Sequence, residues 1–573
     1  MPPRRSAREP PAKPIDKEVN GTVTVAKKTT VAKTKVTASR KKAEPKTNGD
    51  TTTSLKVTKR GRSKSTATPT PAPEDIDDKK AAAKRKKDEI EDEAEPKPAP
   101  KRVRKKSVEA REVTKPKPKG PLRRGKKVEI NQLRYTEPLK VFVFGEGSSG
   151  ELGFGATKKA IDVKRPRFNE MLTNHNVVRI ATGGMHVVAL TKDNKILTWG
   201  VNDNGALGRD TSNAVVKMKD IDGAGSDSDS EDDPTGGLND LEATPTALSS
   251  DHFPEDTVFV DVAAGDSCSF ALTTEGAVYG WGTFRKNEGV LGFTKTINTA
   301  RTPVYIDSLK KITQIACGTN HVLAVDKDGH VWAWGNGQQN QLGRRVIERS
   351  LIESLLPNRV GFHDSSVKRA SQKIAQIACG DYHSMAIGTD GHVWAWGANN
   401  YAETGYPDNA GEDTATVPTP KIIQSLEDKD VIALAGGSHH NAAVTKSGEL
   451  LVWGRCDSAQ TGLSAEKLNA IEGDEKLLKG ENGKPKILIE PTPIPGLKDI
   501  VMATCGPDHT IAIDSAGRAY SWGFSANYQT GQGTDDDITV PTRIENTAVR
   551  DIKLVWAGAG GQYSIVASQK ESS

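Results

Sequence analysis

An aromatic residue followed by glycine closes a short alternating apolar run at seven places: Phe144-Gly145, Trp199-Gly200, Trp281-Gly282, Trp334-Gly335, Trp396-Gly397, Trp453-Gly454 and Trp522-Gly523. Their mean spacing is 63 residues, longer than the roughly 40–50 residues of common propeller repeats. A second signature lies between these marks, as in QIACGTNHVLAV from Gln314 to Val325, where one alternating run meets Gly-x-x-His and another follows. It also occurs seven times. Its glycines are Gly183, Gly265, Gly318, Gly380, Gly437, Gly506 and Gly560, and its last position reads His186, Cys268, His321, His383, His440, His509 and Tyr563.

Runs such as VWAWG and HVLAV alternate with period two and are rich in β-branched and aromatic residues, and turns such as Asp328-Gly329 and Asp390-Gly391 join them as hairpins. Each unit has an apolar face that it cannot bury alone. Seven sheets stacked radially solve that problem and leave no long open edge. The expected fold is therefore all-β, a seven-bladed propeller over 135–570, preceded by a long disordered basic tail. The array opens on an aromatic-Gly strand and ends on a Gly-x-x-His type strand, so the two ends are suited to share one blade.

The tail is delimited by composition. All 29 aromatic residues lie from Tyr135 onward, and residues 1–134 lack the large side chains that a core requires. That segment has 39 Lys and Arg against 18 Asp and Glu, leaving 41 against 56 for the remainder, so a modest total of +6 conceals a basic and an acidic part. Two basic runs, Lys84-Arg85-Lys86-Lys87 and Lys101-Arg102-Val103-Arg104-Lys105-Lys106, flank an acidic, Pro-containing spacer in the form of a bipartite nuclear import signal. A nuclear import receptor is the partner this implies; a generic basic tail is the alternative. Elsewhere the tail mixes Lys with Thr, Ser and Pro, which suits attraction to nucleic-acid phosphates without base readout.

Several classes are excluded. No run approaches the roughly 20 apolar residues of a membrane span, and the N-terminus lacks the hydrophobic segment of a secretory signal, so a soluble intracellular chain is expected. The five cysteines form no CxxC pair. His439 and His440 are adjacent and cannot share one strand face as ligands, and no HExxH, GxSxG or phosphate-binding GxxxxGK[ST] occurs. No metal, no cofactor and no covalent catalysis are expected.

Because the repeats are equivalent, one unit controls for another. Between the aromatic-Gly glycine and the next Leu-Gly or Thr-Gly step, six units have a spacing of seven, while Gly282 to Leu291 spans nine. The lengthened segment Thr283 to Val290 contains Phe284, Arg285, Lys286, Asn287 and Glu288, which sheet packing does not require. A projecting loop on a rigid scaffold is a place for binding residues; a tolerated two-residue insertion is the plain alternative. The turns before the recurring histidine vary far more than the strands and describe a mixed disc surface. The histidine itself, present in five of seven units, is expected to be structural. Two longer departures are an acidic insertion at about 211–243, expected to be disordered, and a Lys- and Glu-rich one at about 464–490.

The aromatic-Gly, Leu-Gly and ACGxxHxxA pattern, spanning Leu139 to Ser568, resembles the regulator of chromosome condensation family. The resemblance implies a nuclear, chromatin-associated guanine nucleotide exchange factor for the small GTPase Ran, with histones and nucleosomal DNA as further partners through the tail and a basic loop. Thr283 to Val290 is similar to the wedge with which Ran exchange factors of the family meet the GTPase. Matching positions for GTPase contact are His186, Asp266, Arg285, Asn320, Arg344, His439 and His440, and Arg344 to Arg359 resembles the chromatin-facing loop. Two positions depart: Ser148 and Asn320 stand where the family's exchange factors have acidic residues. They keep open a second reading, a chromatin-binding propeller scaffold without exchange activity.

Overall fold

The computed structural model describes residues 128–212 and 235–571. These form seven antiparallel sheets, six of four strands and one of five, arranged as the blades of a propeller. The Gly-x-x-His and aromatic-Gly marks fall in fixed places. In the third blade the innermost strand Ile312–Cys317 ends at Gly318, the second strand starts at His321, and the third, Val331–Gly335, ends in the aromatic-Gly pair. His321 sits opposite Gly335, and Val322 opposite Trp334. The seventh blade takes two strands from each end of the repeat array: Leu554–Ala559 and Tyr563–Gln569 pair with Leu139–Glu146 and Asp162–Phe168. Gly145 faces Tyr563 in that closing seam, so the ring shuts with ordinary blade register.

The glycine of each aromatic-Gly pair has a positive φ, from +92° at Gly282 to +111° at Gly145. A Cβ there would lie 2.1–2.7 Å from the carbonyl oxygen of the residue before the facing His, Cys or Tyr. Only glycine satisfies both demands. The preceding aromatic fills the space between blades, and all seven, Phe144 through Trp522, are buried. Five of the tryptophans donate an indole N–H to the previous blade's Leu/Thr-Gly turn: Trp199 to the Glu151 carbonyl, Trp281 to Ala206, Trp396 to Gln341, Trp453 to Glu403 and Trp522 to Gln460.

A second lock explains the histidines. His186, His321, His383, His440 and His509 each place Nε2 2.6–2.9 Å from a side-chain oxygen of the next blade, on Ser269, Ser384, Asn441, Thr510 and Ser564 respectively. Those side chains already donate to a backbone carbonyl, from Ala206, Gln341, Glu403, Gln460 and Gln529. Each must therefore accept from the imidazole, which fixes the Nε2–H tautomer in all five. The two exceptions are matched. Cys268 is followed in the next blade by Val322, and Tyr563 by Val187, where the hydroxyl or amide is missing. Tyr563 turns its own hydroxyl to the carbonyls of Gly183 and His186 instead.

Residues ahead of the expected boundary at 135 also belong to the folded unit. Asn131 is buried and donates to the carbonyls of Thr273 and Ile312, and Tyr135 lies under the Arg179 guanidinium. The expected import signal (Lys84 to Lys106) lies outside the described residues, as does 213–234 of the acidic insertion. The end of that insertion is ordered, with Asn239 capping a short helix, Asp240–Ala243. The 464–490 insertion is folded too. It supplies helix Ala465–Asn469, strand Leu477–Lys479 and part of Pro485–Pro493, and makes the fifth blade five-stranded.

Candidate functional site

The face bearing the Gly-x-x-His turns also receives every loop that leaves an aromatic-Gly strand, because those strands run toward it. Innermost strands surround a channel of about 820 Å³ whose mouth on this face is lined by Met185, Asp266, Asp381, Tyr382 and Asp508.

The lengthened third segment is a β-hairpin, Phe284–Lys286 paired with Gly289–Gly292, and it is the one sheet among the described residues outside the seven blades. Its root and its tip differ. Phe284 is fully buried, 6.0 Å from Phe293 in a parallel stack that continues to Phe270. Arg285, Asn287, Glu288 and Val290 are exposed. The tip is braced from the third blade: Asn320 Oδ1 accepts the Arg285 backbone N–H at 2.7 Å, and Gln338 Oε1 accepts that of Asn287 at 3.0 Å. Lys286 lies between Glu288 at 3.2 Å and Glu348 at 3.7 Å. Glu348 opens a 3-10 turn, Glu348–Leu355, whose Leu351 and Leu355 join the core cluster of Phe284. The loop Arg344 to Arg359 is thereby joined to the hairpin.

Asp266 is half-buried at the channel mouth. Burial and the nearby Asp381 carboxylate raise its pKa, and Arg285 acts in the opposite sense. Hence Asp266 and the hairpin share one electrostatic neighbourhood. Asp381 accepts from the Ser438 hydroxyl. Next to Ser438, His439 sets Nδ1 2.7 Å from Oε1 of the fully buried Glu403, stacks on Tyr382 and lies tilted against Tyr401. The Arg455 guanidinium lies over the Tyr401 ring, 5.3 Å from its centroid.

Four expected contacts are corrected. His186 and His440 are buried and committed to the interblade locks, and burial lowers each to about 4, so they remain neutral and offer no surface. Adjacent positions at a strand start point opposite ways, which sends His440 inward and leaves His439 at the face. Phe284 is the root of the hairpin and cannot press on a partner. Arg344 is turned inward: it donates to the Ala333 carbonyl at 3.1 Å, as Arg209 does to Thr198, and burial lowers it to about 10. Both arginines follow a Leu-Gly step and clip their own blade. Sequence reasoning missed Asp381, Glu403, Tyr382 and Tyr401 as members of the site. Glu403 was detectable, because it stands where other units have Gln341, Gln460 and Gln529.

A family model described as RCC1-like domain matches residues 140–566. The chain belongs to this family. Among its relatives, guanine nucleotide exchange factor SRM1 of Saccharomyces cerevisiae is 39% identical over 445 residues, covering 76% of this chain and 88% of that protein. Regulator of chromosome condensation of Homo sapiens is 29% identical over 451 residues, covering 77% and 94%. A crystal structure of Prp20p from Saccharomyces cerevisiae, described with its binding properties to Gsp1p and histones, superposes with a TM-score of 0.67 at 36% identity, covering 76% of this chain and 93% of that one. A crystal structure of Kap60 bound to yeast RCC1 (Prp20) gives 0.68 at 35%, covering 79% and 96%.

Proposed function

We propose that this chain is a chromatin-bound guanine nucleotide exchange factor for the small GTPase Ran. The observation that carries the reading is the braced hairpin Phe284–Gly292, set on the same face as Asp266 and His439. A GTPase grips GDP through backbone amides, a lysine and Mg²⁺ around the phosphates. An exchange factor breaks no covalent bond. It speeds release by binding the nucleotide-free state better than the loaded one, and a wedge does this only if it keeps its shape when pressed. The Phe270–Phe284–Phe293 stack and the Asn320 and Gln338 bonds supply that stiffness. Arg285, Lys286, Asn287 and Glu288 are the contacting residues, with Asp266 and His439 holding the opened GTPase.

Asn320 retains its place in this scheme, because its amide oxygen accepts the Arg285 N–H just as a carboxylate would. The scaffold reading loses one of its two supports. The exchange activity named for the Saccharomyces SRM1 protein and the Gsp1p binding of Prp20p support the assignment. Release of a fluorescent GDP analogue from Ran tests it: the intact chain accelerates release, and Arg285→Ala slows that acceleration without loss of fold. No acceleration by the intact chain ends the reading.

A nuclear location, with histones and nucleosomal DNA as partners and an import receptor reading the Lys84 to Lys106 clusters, completes the proposal. Histone binding by Prp20p and the Kap60 complex of yeast RCC1 support it. Removal of residues 1–127, ahead of the docked Asn131, is expected to weaken nucleosome binding and flatten its salt dependence. An unchanged salt slope would show that the segment is not the anchor.

A further inference from the structure

Two departures from the repeat, each confined to one unit, meet at His439. The first lies in the loop that leaves the fourth blade's aromatic-Gly strand. Five such loops place Glu or Gln just before the Leu or Thr of the next Gly step: Glu151, Gln341, Glu403, Gln460 and Gln529. In all five a side-chain oxygen accepts the backbone N–H two residues earlier, at 2.8–3.0 Å, and locks the turn. Four of these turns hold Ser149, Gln339, Ser458 or Asn527 at that position. The fourth blade holds Tyr401. There alone the lock fixes an aromatic ring, and it lies beside the ring of His439 with centroids 4.6 Å apart.

The second departure is the 464–490 insertion, which makes the fifth blade the one five-stranded sheet among the described residues. Its side chains reach beyond their own blade. Ile487 and Ile489 form a buried cluster with Ala402 of the fourth-blade loop, and Tyr401, Ala410 and Leu478 pack against it. Leu478 comes so near that loop that a Cβ added at Gly411 would lie 2.9 Å from its Cδ1. The Lys486 ammonium is 5.7 Å from the Tyr401 ring centroid, and the Arg455 guanidinium, on the strand paired with Ile487, is 5.3 Å from it.

Glu403 joins the two departures. Oε2 accepts the Tyr401 N–H at 2.8 Å, while Oε1 holds His439 Nδ1 at 2.7 Å. The imidazole is therefore held at Nδ1 by a fully buried carboxylate and abutted by Tyr401, tilted 45° to it. Nε2 is the nitrogen left for a partner.

We propose that the fifth-blade insertion is a positioning device for the GTPase contact at His439: Leu478, Lys486, Ile487 and Ile489 seat Tyr401, and Tyr401 with Glu403 sets the direction in which Nε2 meets the GTPase. This rests on the exchange-factor reading. An imidazole fixed before the encounter loses little rotamer freedom on binding, which strengthens the complex with the opened GTPase. The hairpin shares none of these contacts, so the two act independently.

The test is GDP release from Ran driven by the full-length protein, read as kcat/KM. Tyr401→Ala should lower it roughly 3- to 10-fold, the range of one aromatic contact, and Tyr401→Phe, which keeps the ring, should match the parent. Leu478→Ala, cut from the insertion at a partly buried site, should lower it about threefold. In a His439→Ala background neither Tyr401→Ala nor Leu478→Ala should cause further loss, whereas with Arg285→Ala their losses should multiply. A general loosening of the blades would slow exchange equally with and without His439, and that result overturns the positioning role. So does exchange at the parent's rate by Tyr401→Ala, Leu478→Ala or His439→Ala. Each of these leaves the activity of the parent chain standing, while a parent chain that does not accelerate GDP release removes the exchange-factor reading itself.

Discussion

Acid should dissolve the propeller through its interblade histidines, and the size of the effect follows from their burial. His321 is fully buried, shares Nε2–H with Ser384 at 2.9 Å, and burial lowers it to about 3. The unfolded chain protonates a histidine near pH 6.5, so stability from this group is present above that value and is lost as pH falls toward the folded one. From pH 7 to pH 5 the loss is about 2 kcal/mol per site, set almost wholly by the unfolded value because the folded imidazole stays neutral throughout. His186, His440 and His509 are lowered to about 4, 4 and 3 and add to the effect in the same direction, as does His383. The ring supplies its own control. Cys268 and Val322 occupy the equivalent pair between the second and third blades, so His321→Cys with Ser384→Val installs a combination that the fold already accepts. Urea unfolding at pH 7, 6 and 5 should show the double variant losing about 2 kcal/mol less than the parent between pH 7 and pH 5. Parallel losses in the two proteins would mean that His321 is not held neutral, and the lock as described would be wrong.

Other consequences separate structural from contacting residues. Phe284→Ala removes the centre of an aromatic stack and should cost about 3–5 kcal/mol, lowering the thermal midpoint, whereas exposed Arg285→Ala should stay within about 0.5 kcal/mol and slow GDP release; an unmoved midpoint in Phe284→Ala would refute its placement as the root. Gly318→Ala would set a Cβ 2.3 Å from His321 Cε1 and 2.4 Å from the Gly380 carbonyl oxygen. It should cost roughly 1–3 kcal/mol by denaturant midpoint, while Gly361→Ala, with nothing closer than 3.6 Å, should cost far less. Asn320→Asp should preserve exchange and Asn320→Ala should impair it, because only an acceptor at that position ties down the Arg285 backbone; equal rates for the two variants would dissociate the bracing from function.

How much of this was legible beforehand depended on whether a residue's role is set within its own repeat or across a blade boundary. Blade number, strand pairs and the need for glycine are local, and Gly335 or Trp334 announces them by spacing alone. The locks are not local. His186 meets Ser269 and His440 meets Thr510 across 83 and 70 residues, so the joint change of Cys268 with Val322 is invisible until the blades are set side by side. The hairpin was visible as a two-residue excess, yet alternation along a two-stranded ribbon decides that Phe284 goes in and Arg285 out, and the ribbon's phase is not written in its length. Arg344 could have been placed correctly, since Arg209 follows the same Leu-Gly step in an unlengthened loop.

The same comparison indicates where function can reside in a ring of equivalent blades. A position filled alike in most units is consumed by closure: the imidazoles, the indoles and the turn-locking Glu or Gln oxygens are already bonded. What remains for a partner is what one unit does and the others do not. The hairpin at 284–292, the Asp266 carboxylate facing Asp381, and the His439–Glu403 pair against two tyrosines are each such a singularity, and all three open on one face. A GTPase docked there would meet three different chemistries at three fixed azimuths around a stiff disc, which sets its orientation as well as its affinity. On the opposite face the Asn131 amide is taken up by the Thr273 and Ile312 carbonyls, so that contact lies away from all three.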